Sequence, residues 1–182
     1  MRRELAWFIN HIKNSNGIHM LQSVEWFPQD NQASTLIAFS DASGVGMGIW
    51  FPGEYAGYQS PLPPEGPKDL IFFYEALAIC SAIHLGVQYG TKRIAIYSDN
   101  TNSVDMFSSL RAKREYNSIL MSAIDLAFKH EIKFKVYYIP GPENVIADLL
   151  SRFRNELAMR LAPKLVIRPF SPPQDALGVI KK

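Results

Sequence analysis

Four carboxylates stand where a catalyst could use them: Asp41, Glu75, Asp99 and Asp148. Asp41 closes the short, mostly apolar stretch STLIAFSD (34–41), and Asp99 follows the β-branched and aromatic stretch RIAIYS (93–98). Glu75 has Ile71, Phe72, Ala78 and Ile79 as neighbours one helical turn away, so it projects from an apolar stripe. Asp148 comes early in a helical stretch, after Pro142-Glu143-Asn144. Taken singly, each has a structural reading. Asp99 in Ser-Asp-Asn can cap a helix, Asp41 can make a turn, and Asp148 can favour a helix N-terminus. Glu75 either reaches solvent at the stripe's edge or is buried beside a partner, because an uncompensated buried carboxylate is costly. Convergence would change the reading. Like charges repel unless divalent cations lie between them, and hard oxygen ligands suit Mg²⁺ or Mn²⁺. Two such ions roughly 3.5–4 Å apart form the clamp used for in-line phosphodiester hydrolysis.

The elements that must position these residues follow from periodicity and turn chemistry. Residues 4–13 read as a helix ended by 14–17, and 24–34, with Pro28, Asp30 and Asn31, as a connector. Residues 34–41, 45–51 and 54–60 read as an antiparallel meander whose second turn is Pro52-Gly53. Four prolines break the pattern over 61–68. Asp69 then caps a long helix that runs to about Tyr89 and is closed by Gly90. A strand over 93–98, helices over 101–110 and 116–130, and a strand over 133–139 stopped by Pro140-Gly141-Pro142 come next. A last helix spans 144–161, before Pro163. The tail, with Pro169, Pro172 and Pro173, is assigned no element. The order β-β-β-α-β-α-α-β-α predicts an α/β fold: one mixed five-stranded sheet, three antiparallel strands then parallel ones, with helices on both faces. If the first and fourth strands are parallel neighbours, Asp41 and Asp99 emerge at one sheet edge, where α/β folds build sites. The expected organisation is an N-terminal helix and connector over 1–33, the α/β domain over 34–162 and a basic tail over 163–182.

Composition bounds the remaining choices. At 182 residues, 47% hydrophobic and 20% charged, the chain reads as globular, not as disordered, collagen-like or coiled-coil. No apolar run reaches the ~18–20 residues of a membrane span, so a soluble protein without a membrane partner is expected. MRRELAWFINHIKN lacks the apolar stretch of a signal peptide, which points to an intracellular site, cytoplasmic or nuclear. The single Cys80 excludes an intrachain disulfide or a cysteine-only zinc site and fits a reducing compartment. The net charge of +2 conceals a division: residues 41–150 hold nine basic and twelve acidic side chains, residues 151–182 seven basic and two acidic. An acidic middle that includes the four carboxylates therefore precedes a basic flank.

The motifs FSDASGVGMG (39–48), FYEALA (73–78), YSDN (97–100) and IPGPENVIADLLSR (139–152) resemble the ribonuclease H family, most closely the ribonuclease H domains of retrotransposon polyproteins. The resemblance covers about 34–152. It implies a ribonuclease H-like fold and metal-dependent endonucleolytic hydrolysis of the RNA strand of RNA–DNA hybrids. Asp41, Glu75, Asp99 and Asp148 would be the catalytic residues and the ligands of two Mg²⁺, with Mn²⁺ as substitute. It further implies substrate contacts from Ser43 and Gly44, whose backbone N–H groups would face a phosphate, and from Asn100, Thr101 and Asn102 at the hybrid's minor groove, where the 2′-hydroxyl tells RNA from DNA. The flanking ELAWF and NSNGIHML look like the connection after a reverse transcriptase, which implies a polymerase domain in cis as a partner. One departure stands out: many members carry a histidine before the last aspartate, whereas Tyr137-Tyr138-Ile139-Pro140 has none and His130 lies upstream. Lys113, Arg114, Lys133 and Lys135 are candidate phosphate contacts. The rival reading is a catalytically silent ribonuclease H-like module that binds nucleic acid or protein. Another nuclease or integrase of the same superfold is a second. A structural subunit whose 69–89 stripe, with Cys80 and His84, packs on a polymerase is a third.

Overall fold

A computed structural model describes residues 2–14, 28, 35–67 and 70–178. The chain divides into two compact units, residues 1–31 and 32–182. In the first, α1 (Arg2–Asn14) is amphipathic, with Leu5, Phe8, Ile9 and Ile12 exposed at helical spacing. The expected turn at 15–17, nearly all of the connector and Asp69 lie outside the described residues.

The second unit is one mixed sheet. β1 (Thr35–Ala42), β2 (Gly46–Phe51) and β3 (Ala56–Pro61) are antiparallel neighbours, as the meander predicts. β4 (Arg93–Ser98) lies parallel to β1, with Phe39 opposite Tyr97, and β5 (Lys133–Tyr138) lies parallel to β4. Two residues beyond the Phe39–Tyr97 pair stand Asp41 and Asp99, at the same edge. The register of the two strands thus decides the site before any side chain is considered.

Helices cover both faces. The long helix α2 (Ile71–Val87) packs on β1, β2 and β4, with α3 (Thr101–Ser109) and α4 (Asn117–His130) on the same side. Leu77, Ile79, Ile83, Ile94, Ile96 and Ile119 are fully buried there. Each such side chain contributes roughly 1.5–3 kcal/mol on burial. α2 is buried almost throughout from Phe73 to Ile83, so its stripe, Cys80 included, is core of this domain. Its first residue, Ile71, follows Leu70, which offers no side-chain cap. On the other face Trp50, Leu149, Leu150, Ala158 and Leu165 form a smaller core.

Two expectations are corrected. The last helix is not continuous over 144–161: α5 (Val145–Ser151) ends, and α6 (Asn155–Leu161) begins, around Phe153 at φ 57°. The Arg154 N–H donates to Leu149 O and the Phe153 N–H to Leu150 O, the Schellman pattern that normally uses glycine at the left-handed position. The Phe153 ring sits over Gly46, where a Cβ would come 2.5 Å from Phe153 Cε2. The tail is not structureless either. β6 (Val166–Pro169) adds a sixth strand parallel to β3, and the Phe170 N–H donates to Gln59 O. Proline is tolerated there because β6 is an edge strand. Beyond it Ala176 is fully buried and its carbonyl accepts from Ser118 Oγ at 2.8 Å.

α5 lies directly on β2 at Gly48, the residue opposite Asp41. A Cβ there would fall 2.5 Å from Ser151 N and 2.8 Å from Leu150 Cβ, and would also meet Ala147 O. Those are mostly backbone atoms and cannot yield locally. Gly48→Ala is therefore expected to destabilise by about 2–3 kcal/mol and lower the melting midpoint by roughly 5–10 °C. A midpoint within a degree of wild type would show that α5 does not approach this closely.

Candidate active site

Asp41 arrives on the penultimate residue of β1 and Glu75 early in α2; both are 5% exposed. Asp99 follows β4 and is half-buried, with Gly141 against it: a Cβ on that glycine would come 3.0 Å from Asp99 Oδ2. One carboxylate oxygen from each of the three lies within 4.8 Å of the other two. Asp148, on α5, stands outside this group, its Oδ1 accepting from Arg152 Nε at 2.7 Å.

Charge accumulates here with little to offset it. Burial, then the neighbouring Asp41 and Asp99, push the Glu75 carboxyl up to about 9, against one hydrogen bond from the Ala42 backbone. Burial likewise pushes Asp41 up to about 7. The Ser151 hydroxyl opposes that shift, and Asp99 and Asp148 add to it. Glu75 Oε2 is buried and has no hydrogen-bond partner among the described residues. An orphaned carboxylate oxygen beside two more carboxylates is an all-oxygen donor set of the kind that takes Mg²⁺ or Mn²⁺, so the residues fit such ions.

Three residues without an assigned role in the sequence contact the carboxylates or the strand that bears them. Ser151 Oγ lies 2.5 Å from Asp41 Oδ2 and 2.8 Å from Asp148 O. Asn144, buried, donates from Nδ2 to Ser40 O at 2.9 Å and ties the start of α5 to β1. Arg152 pairs with Asp148. All three lie inside the motif 139–152, where their polar types at buried or turn positions were the available signal.

The expected substrate contacts divide. The Ser43 N–H donates to Gly46 O at 2.8 Å and Ser43 Oγ to Ser151 O at 2.9 Å, so both groups are engaged in the turn, while Gly44 is exposed. Asn100 Oδ1 caps α3 by accepting from the Ser103 N–H; Thr101 and Asn102 are exposed on the first turn beside Asp99. His130 ends α4, before β5, and Lys133 pairs with Arg93, so both belong to the sheet end remote from Asp99. Lys113 and Arg114 are exposed between α3 and α4. His84 Nε2 lies 3.1 Å from Ser122 Oγ, an ordinary interhelical hydrogen bond, and burial pushes the Cys80 thiol up to about 12.

Comparison with known proteins is informative only at the level of structure. No family profile matches the sequence, and no curated protein matches it. Among solved structures, RNase H1 of the halophilic archaeon Halobacterium salinarum NRC-1 aligns with TM-score 0.55 over 67% of this chain and 98% of its own, at 14% identity. The fold is that of ribonuclease H. The N-terminal RNase H domain of a Mycobacterium tuberculosis protein aligns with TM-score 0.52 over 70% of this chain and 98% of its own, at 16% identity. LC11-RNase H1, solved in complex with an RNA/DNA hybrid, gives 0.51 over 67% and 99%, also at 16%. The ribonuclease H fold here has its antiparallel-then-parallel sheet extended by β6. Among the described residues no helix is long and apolar enough to cross a membrane.

The raised carboxyls make a stability prediction. Their contribution to the fold is fully present below the ordinary values of 3.8 and 4.5, and is lost as pH climbs through about 7 for Asp41 and about 9 for Glu75. Metal-free protein should therefore lose stability between pH 5 and pH 9. Glu75→Gln removes the larger part of that loss and should raise the melting midpoint in EDTA at pH 7 by about 4–8 °C, equivalent to ~2 kcal/mol. An unchanged or lower midpoint would mean that the Glu75 carboxyl carries no such penalty.

Proposed function

We propose that the chain is a metal-dependent ribonuclease H of retroelement type, which hydrolyses the RNA strand of RNA–DNA hybrids. The observation that carries this reading is the convergence of Asp41, Glu75 and Asp99 at the strand-end edge of a ribonuclease H fold. Asp41, Glu75, Asp99 and Asp148 would hold two Mg²⁺, replaceable by Mn²⁺. Bound there, the ions would neutralise the carboxylates and supply the Lewis acidity for attack of water on phosphorus. The new P–O bond comes from water and the P–O3′ bond breaks, leaving a 5′-phosphate and a 3′-hydroxyl.

The chain's own groups orient this chemistry. Ser151 fixes the Asp41 carboxylate, and Asn144 fixes α5 against β1. Gly44, Asn100, Thr101 and Asn102 form the proposed rim that meets the hybrid, the last two through exposed side chains free to reach 2′-hydroxyls. Ser43 is assigned to closing the turn under that rim. The loop 139–144 holds no histidine, so the proton leaves to solvent and turnover is expected to be slower, by ~10²–10⁴-fold, than with a positioned base. The motif 139–152 supports the retroelement assignment, and with it a reverse transcriptase domain in cis as partner.

A silent binding module is disfavoured by the same carboxylates, since without cations they only destabilise the fold. A labelled RNA–DNA hybrid with Mg²⁺ decides between the two, run beside duplex DNA and duplex RNA. Cleavage of the hybrid alone is expected, with a loss of at least ~10²-fold in Glu75→Gln and Asp99→Asn. No cleavage at high enzyme concentration would favour the binding module, and equal cleavage of duplex DNA would overturn the substrate. Ser151→Ala should keep the fold yet weaken Mn²⁺ binding about tenfold, read by calorimetry; unaltered affinity would remove Ser151 from the site.

A further inference from the structure

Building on the metal-site reading above, we propose that Arg152 is a positioning residue that holds Asp148 aside from the carboxylate group, so that a divalent cation must compete with it for that ligand. Asp41, Glu75 and Asp99 each bring one carboxylate oxygen within 4.8 Å of the other two. Asp148 is held elsewhere: Arg152, the C-cap of α5 and four residues on, donates to it from Nε at 2.7 Å.

The surrounding contacts make exchange a matter of side-chain rotation alone. The Asp148 carbonyl accepts from the Arg152 N–H at 3.2 Å and from Ser151 Oγ at 2.8 Å, so the backbone is pinned while the carboxylate is not. Both side chains of the pair are substantially exposed, at 46% and 36%, so opening it strands no charge in the interior. Arg152 is also the last residue before the left-handed Phe153, and the closed Schellman turn keeps its Cα beside Asp148. The protein therefore offers three carboxylates at once and the fourth only on release from arginine. The ion that needs Asp148 binds against that competition.

The experiment is calorimetric titration of Mn²⁺ into metal-free full-length chain, comparing wild type, Arg152→Ala, Arg152→Lys, Asp148→Asn and the double variant Asp148→Asn/Arg152→Ala. The quantity followed is the component of Mn²⁺ binding that Asp148→Asn abolishes. Arg152→Ala should tighten it roughly two- to fivefold, the range expected of an exposed ion pair. Arg152→Lys, with the charge but without the Nε donor, should fall between. In the Asp148→Asn background the Arg152 substitution should change nothing, which separates a specific contact from a general charge effect. Unchanged or weaker binding in Arg152→Ala, or an equal gain in both backgrounds, would overturn the proposal. Mn²⁺ binding by wild type that ignores Arg152 would overturn it alone, whereas no Mn²⁺ binding by wild type would overturn the metal-site reading with it. Melting of Arg152→Ala within ~2 °C of wild type establishes that its fold is intact.

Discussion

Repulsion among buried carboxylates is the constraint around which this domain is organised. Asp41 and Glu75 sit at the boundary between a strand edge and an apolar helix, held by the Ser151 hydroxyl and the Ala42 backbone respectively. A fold can keep such groups only if the surrounding scaffold is rigid enough to over-determine their positions. Here the rigidity comes from α2, buried along nearly its whole length, and from the parallel pairing of β1 with β4. The stability given up at the corner is returned by the core on either side of the sheet.

Hydrogen bonds shape what charge alone leaves loose. Ser151 and Asn144 both come from the segment that follows β5, and both reach back to β1. One fixes a carboxylate and the other fixes the helix that bears the fourth acid. Gly48 permits this arrangement, since it lets α5 lie against the strand at the level of Asp41. A polar tether and an absent side chain thus serve the same geometric end.

The strands and the carboxylates were legible because their signals are local. Alternation and β-branched residues mark 93–98, and Glu75 interrupts an otherwise apolar helical stripe. What stayed illegible depended on distant contacts. The partners of Ser151 and Asn144 lie 110 and 104 residues away, and no local pattern encodes such pairings. The break at Phe153 escaped because a left-handed helix terminus is ordinarily marked by glycine, whereas here a phenylalanine occupies it. β6 escaped because Pro169 reads as punctuation, though an edge strand accommodates it. The separation of Asp148 from the other acids is likewise a side-chain event that spacing does not reveal.

The sixth strand also bears on where this domain ends. β3 is an interior strand only because Val166–Pro169 pair with it, and the chain then crosses to α4, where Ala176 is buried. A version cut after the last helix, at about residue 162, would expose the hydrogen-bonding edge of β3 together with the apolar surface that Leu165 and Ala176 cover. Such an edge is a template for pairing between molecules. The residues beyond the four acidic motifs therefore act as a hem, moving the open edge from the longer β3 to a four-residue strand that ends in proline.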